Sequence, residues 1–218
     1  IGDNYSLLQV MSRFGLSLGF GDKTVKEVCE MNNVDCQTFL VVVNFMAEGF
    51  SRMDGSADDI SIPALVDYLR QAHIYFLDYC LPAIRRKLIE AIDCSQDDVS
   101  FLILKFFDGY MREVRKHMEY EEKTVFKYVD TLIHGNAPKN YQISTFSKHH
   151  DQVGERLTEL KNIIIKYCPA KANTNVLNAA LFDIYACEEG LESHCKVEDY
   201  LFVPAILKLE RRMRENEK

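Results

Sequence analysis

Apolar residues recur along most of this chain at steps of three and four, the spacing that places side chains on one face of an α-helix. Four such stripes follow one another beyond residue 60. The first runs through Val66, Leu69, His73, Phe76, Cys80, Ile84 and Leu88; the second through Ile103, Phe106, Tyr110, Val114, His117, Glu121 and Val125. The third takes Phe146, His150, Val153, Leu157 and Ile164, and the fourth Leu177, Ala180, Ile184, Cys187, Leu191, His194, Glu198 and Leu201. Start and stop signals bound them. The first helix begins at Ser61 and runs to about Ile92, with Pro63 in its first turn, where a missing N–H does least harm. Ser95 can cap the second, Asp97 and Asp98 suit its positive end, and Gly135 stops it after His134. The third occupies about 142–167 and ends at "CPAKANTN"; the fourth starts near Asn175 and reaches the charged tail "KLERRMRENEK". Four long helices with short connections most simply make an up-down-up-down four-helix bundle.

Strand signals are nearly absent. The β-branched run "FLVVVNFM" at 39–46 sits among helical patterns and reads as a buried helix. Gly, Ser and Asp concentrate in "EGFSRMDGSADDIS" at 48–61, a composition that breaks regular structure. The expected organisation is an all-α chain with a small N-terminal helical domain at 1–50, a linker at 51–60 and the bundle at 61–218.

Composition narrows the function classes. With 218 residues, 47% hydrophobic and 27% charged, the chain can bury a sizeable core. A net charge of -7 argues against nucleic acid as a partner, which needs clustered cations. No apolar run approaches the roughly 20 residues of a membrane span, so no membrane association is expected. Residues 1–30 lack the basic-then-apolar layout of a secretory leader. The seven cysteines are odd in number, irregularly spaced and without a CxxC pair. They read as core residues or free thiols of a reducing compartment, and cytoplasm is the expected location.

Polar residues inside the apolar stripes change the picture. His117 and Glu121 stand one helical turn apart on an inward face, and the same HxxxE spacing returns 77 residues later as His194 and Glu198. The same offset carries His73 onto His150, so a histidine, 43 residues and HxxxE appear twice. A lone HxxxE is more often an exposed polar pair, and a lone inward histidine more often a hydrogen-bonded core residue. Two pairs and two histidines sharing one offset on apolar faces favour a metal site made by His73, His117, Glu121, His150, His194 and Glu198. Four imidazoles and two carboxylates suit two metals, with the glutamates bridging and two histidines on each ion. A set without thiolate favours iron or manganese over structural zinc. Buried carboxylates need cations beside them. His134 and His149 have no counterpart at this offset, Tyr110 and Tyr120 could hydrogen-bond near the site but at helical spacing are more often plain packing, and Glu119 and Glu122 are expected to face solvent.

These motifs resemble the hemerythrin-like family, specifically the di-iron proteins of the repair-of-iron-centres type. That family carries a single His, HxxxE, a His in an "HD" dipeptide and a second HxxxE, matched here by His73, His117 with Glu121, His150 in "HHD", and His194 with Glu198. The resemblance covers about 61–215. The N-terminal stretch also resembles the short helical domain that precedes the bundle in repair proteins, with one departure. In "LGFGDK", Gly19 and Phe20 stand where the family has a cysteine pair. The resemblance implies two iron ions with an oxo or hydroxo bridge, a diatomic ligand (O₂ or NO), and a role in repairing iron–sulfur clusters damaged by oxidative or nitrosative stress. Iron–sulfur proteins are the implied partners, and a homodimer is left open. Two other readings stay open: an O₂- or NO-binding sensor, and an enzyme reducing NO or O₂.

Overall fold

The computed structural model describes residues 4–48, 60–92, 98–136, 141–148, 153–169 and 172–216. Ser95, Asp97, His149, His150 and all of the expected linker except Ile60 lie outside them. The fold is all-α, with no strand among the described residues. In chain order the helices are α1 (Ser6–Arg13), α2 (Val25–Met31), α3 (Cys36–Glu48), α4 (Ile62–Ile74), α5 (Leu81–Ala91), α6 (Asp98–Tyr120), α7 (Phe126–Ile133), α8 (Val153–Tyr167), α9 (Thr174–Val197) and α10 (Val203–Asn216). Three π-helical turns join consecutive pairs without a break: Tyr75–Cys80 between α4 and α5, Glu121–Val125 between α6 and α7, and Glu198–Phe202 between α9 and α10. A 3₁₀ turn, Ile143–Lys148, stands where the sequence suggested the start of the third long helix, and α8 begins only at Val153.

Contacts group the chain into two compact units. The first comprises Ile1–Ala72, Thr124–Ser147 and Ser193–Lys218. Its helix ends follow local chemistry. Thr24 and Glu27 form a reciprocal capping box at the start of α2. Asn33, at φ 55, closes the other end, where Val34 N–H donates to Cys29 O at 2.9 Å. That left-handed residue with its 6→1 hydrogen bond is a Schellman stop. Asp35 Oδ1 then accepts the Thr38 N–H at 2.8 Å and starts α3. Gly135, at φ 82, ends α7 in the same manner as α2, with Asn136 N–H donating to Thr131 O.

One apolar cluster in this unit takes Val10, Val42 and Phe45 of the N-terminal helices together with Leu65, Leu69, Val129 and Ile206. Buried Arg13 of α1 reaches α4, donating to Tyr68 Oη at 3.3 Å. The buried Thr38 hydroxyl accepts the Ser61 N–H at 2.8 Å, fixing the chain just ahead of α4. Glu210 of α10 is also buried, and it accepts from Tyr128 Oη at 2.7 Å and from Ile143 N–H at 2.9 Å.

The second unit comprises His73–Lys123 and Lys148–Glu192. Its interior holds Phe76, Ile84, Leu88, Ile103, Phe107, Leu160 and Ile184. Phe107 is buried where the sequence pattern pointed to Phe106, which is half-buried. Bidentate Arg85–Asp108, at 2.6 and 3.1 Å, ties α5 to α6, and Lys87–Asp183 at 2.5 Å ties α5 to α9. Arg156–Glu113 links α8 to α6. No disulfide joins the described cysteines; burial and the neighbouring Cys36 push the Cys29 thiol up to about 11.

Glu210 offers a direct check on the packing of the first unit. Glu210→Ala leaves a buried hydroxyl and a buried N–H without their acceptor and is expected to cost about 2 kcal/mol. The measurement is the urea midpoint, which should fall; an unchanged midpoint would contradict the buried network.

Candidate metal centre

The polar residues of the inward stripes are buried as an apolar helix face dictates. His73 is 3% exposed, His194 1%, and Glu121 and Glu198 are fully buried. His117, on the last turn of α6, keeps 16% of its side chain exposed. His73 is the penultimate residue of α4, while Glu121 and Glu198 are each the first residue of a π turn. Every described member of the predicted set therefore lies at or within a few residues of a π-helical turn. Such insertions widen the helix by one residue and redirect the side chains around them, and they recur at functional sites.

Glu121 has its two oxygens on different imidazoles. Oε2 lies 2.8 Å from Nε2 of His73, and Oε1 lies 2.7 Å from Nε2 of His117. On α9, Nε2 of His194 is 3.3 Å from Oε1 of Glu198, a one-turn pair at the expected spacing. Ligand atoms of His73, Glu121, His194 and Glu198 all lie within 4.8 Å of one another. His117 stands beside Glu121, and His150 falls outside the described residues. His134 instead sits at the end of α7, with Nδ1 2.7 Å from Asp130 O.

Sequence reasoning missed Glu122. Expected to face solvent, it is 37% exposed, and its Oε1 lies 2.9 Å from Nδ1 of His73. The ring of His73 is therefore held between two consecutive carboxylates. The expected solvent position of Glu119 agrees with its pairing to Lys123 at 2.8 Å on the surface.

The donor set fits a cation. Two ligands on adjacent positions of one ion, each at about 2.1 Å, stand roughly 3 Å apart, and the His–Glu separations of 2.7, 2.8 and 3.3 Å match that spacing. Taking a carboxylate out of water costs several kcal/mol unless positive charge meets it, and a divalent ion meets two at once. Imidazole and carboxylate donors without thiolate suit iron.

A helical bundle with a buried imidazole–carboxylate cluster defines a cation-binding α-helical protein. Residues 64–206, about two thirds of the chain, match the hemerythrin HHE cation-binding domain, and the chain belongs to that family. No curated protein sequence matches the chain at a significant level. Family and cluster together indicate a metal-binding protein, with iron the typical metal.

Charge removal at the cluster separates a metal site from an internal ion-pair network. Glu121→Gln keeps the shape of the side chain and removes its charge. Metal content after iron-replete expression is expected to fall at least tenfold, while the metal-free variant stays as stable as metal-free wild type, because an unmatched buried charge is gone. Full metal content in the variant would contradict the site.

Proposed function

We propose that this chain is a non-haem di-iron protein that takes part in repairing iron–sulfur clusters damaged by oxidative or nitrosative stress. The observation that carries the two-ion reading is Glu121, whose oxygens face His117 and His73 at 2.7 and 2.8 Å. A carboxylate arranged in this way would span two cations, one beside each imidazole. Glu198 would be the second bridge, with His194 and His150 completing two histidines on each ion.

Bound irons supply one-electron chemistry and open coordination positions for a small ligand such as O₂ or NO. The chain supplies the rest. Glu121 and Glu198 would supply the negative charge to hold two cations in an apolar interior. Leu69, Phe76, Val125 and Leu201, close in sequence to the candidate ligands, are buried. His117 is the most exposed of the described candidate ligands. Repair, rather than oxygen carriage, is supported by the ligand pattern of four histidines and two glutamates, which resembles that of the repair proteins. A reducing cytoplasm agrees with described cysteines that form no disulfide.

Gly19 and Phe20, at the positions of the family's cysteine pair, favour a second reading in which the centre senses O₂ or NO. Recovery of an oxidant-damaged iron–sulfur hydratase separates the two. Iron-loaded protein is expected to restore its activity and metal-free protein is not. No recovery, with the iron centre spectroscopically intact, would overturn the repair reading.

A further inference from the structure

Glu122 stands on the other side of His73 from the cluster. Its Oε1 is 2.9 Å from Nδ1, while Nε2 of the same ring faces Glu121 Oε2 at 2.8 Å. The two carboxylates are consecutive residues at the start of the π turn Glu121–Val125, so one helical distortion delivers both to one imidazole. An imidazole that binds a cation through Nε2 carries its proton on Nδ1, and an ionised carboxylate can only accept. A carboxylate at Nδ1 therefore fixes the tautomer, sets the ring plane and increases the electron density at Nε2. Glu122 is anchored at its inner end and 37% exposed, so it can do this without the desolvation that Glu121 undergoes.

We infer that Glu122 is a positioning residue that holds His73 in its metal-binding orientation, an inference that rests on the metal-site reading above. It contributes no ligand atom and acts through the ring. Glu119, on the same helix, exposed and paired with Lys123, serves as the matched control.

The test is an anaerobic Co(II) titration of the full chain, following the visible ligand-field bands and competing the ion against a chelator. Wild type and Glu119→Ala are expected to bind alike. Glu122→Ala is expected to bind 10- to 100-fold more weakly, with shifted bands that report a displaced nitrogen ligand. In Glu122→Gln, the amide oxygen still accepts from Nδ1–H, so most of the affinity and the wild-type band positions should return. Helical circular dichroism confirms that each variant is folded. Wild-type affinity and bands in Glu122→Ala overturn the inference while leaving the metal centre standing. A Glu122→Gln variant as weak as Glu122→Ala also overturns it, because geometry at Nδ1 would then not be what matters. Failure of wild type itself to bind Co(II) removes the metal centre and this inference together.

Discussion

Two carboxylates with no solvent exposure, Glu121 and Glu198, impose the condition that the rest of this molecule meets. Each would lose several kcal/mol of hydration on entering an apolar interior unless positive charge lies beside it. Nε2 of His73 and of His117 lie 2.8 and 2.7 Å from the oxygens of Glu121, and His194 lies 3.3 Å from Glu198, so each carboxylate has imidazole beside it. Imidazole is neutral or singly charged, whereas a divalent cation balances two carboxylates at once. The spacing of the donors and the chain's membership of a cation-binding family point to the same solution.

Placing such groups within continuous helices has a geometric consequence. At 3.6 residues per turn, each step of four residues drifts about 40° around an α-helix. The series His194, Glu198, Phe202, Ile206 and Glu210 takes four such steps and stays buried throughout. Ala72, Phe76, Cys80, Ile84 and Leu88 do the same. A straight α-helix would carry the last member of either series toward the opposite face. The π turns Glu198–Phe202 and Tyr75–Cys80 fall within these series and absorb the drift with extra residues. Adjacent buried residues mark where this happens, as with Cys80 and Leu81, or Leu201 and Phe202.

Much of this was legible in the sequence, and the misses have physical causes. The long helices could be read from three-to-four periodicity, and α7 ends at Gly135 because a left-handed residue was needed there. The ligand pattern was legible because HxxxE, being one helical turn, keeps its meaning on any α-helix. A run of four-residue steps, Phe76, Cys80, Ile84 and Leu88, was also visible in the first stripe, but not its consequence, a π turn; the fourth stripe as read alternated steps of three and four. Along α6 and the π turn after it, the buried positions Tyr110, Val114, Met118, Glu121 and Val125 mix steps of three and four, so the π turn there left no such trace. Glu122 was assigned to solvent because its neighbour Glu121 points inward and consecutive residues diverge on a helix; the bond to His73 at the start of a π turn defeated that rule. Ile143–Lys148 was read as helix from its stripe alone, which does not distinguish a 3₁₀ turn from the start of an α-helix.

The central proposal is that Glu121 would bridge two irons, one beside His73 and one beside His117. Anomalous diffraction at the iron absorption edge, from crystals of the iron-loaded chain, addresses it most directly. Two peaks are expected, each beside one oxygen of Glu121, with one near Nε2 of His73 and the other near Nε2 of His117. A single peak, or iron located away from Glu121, would contradict the claim.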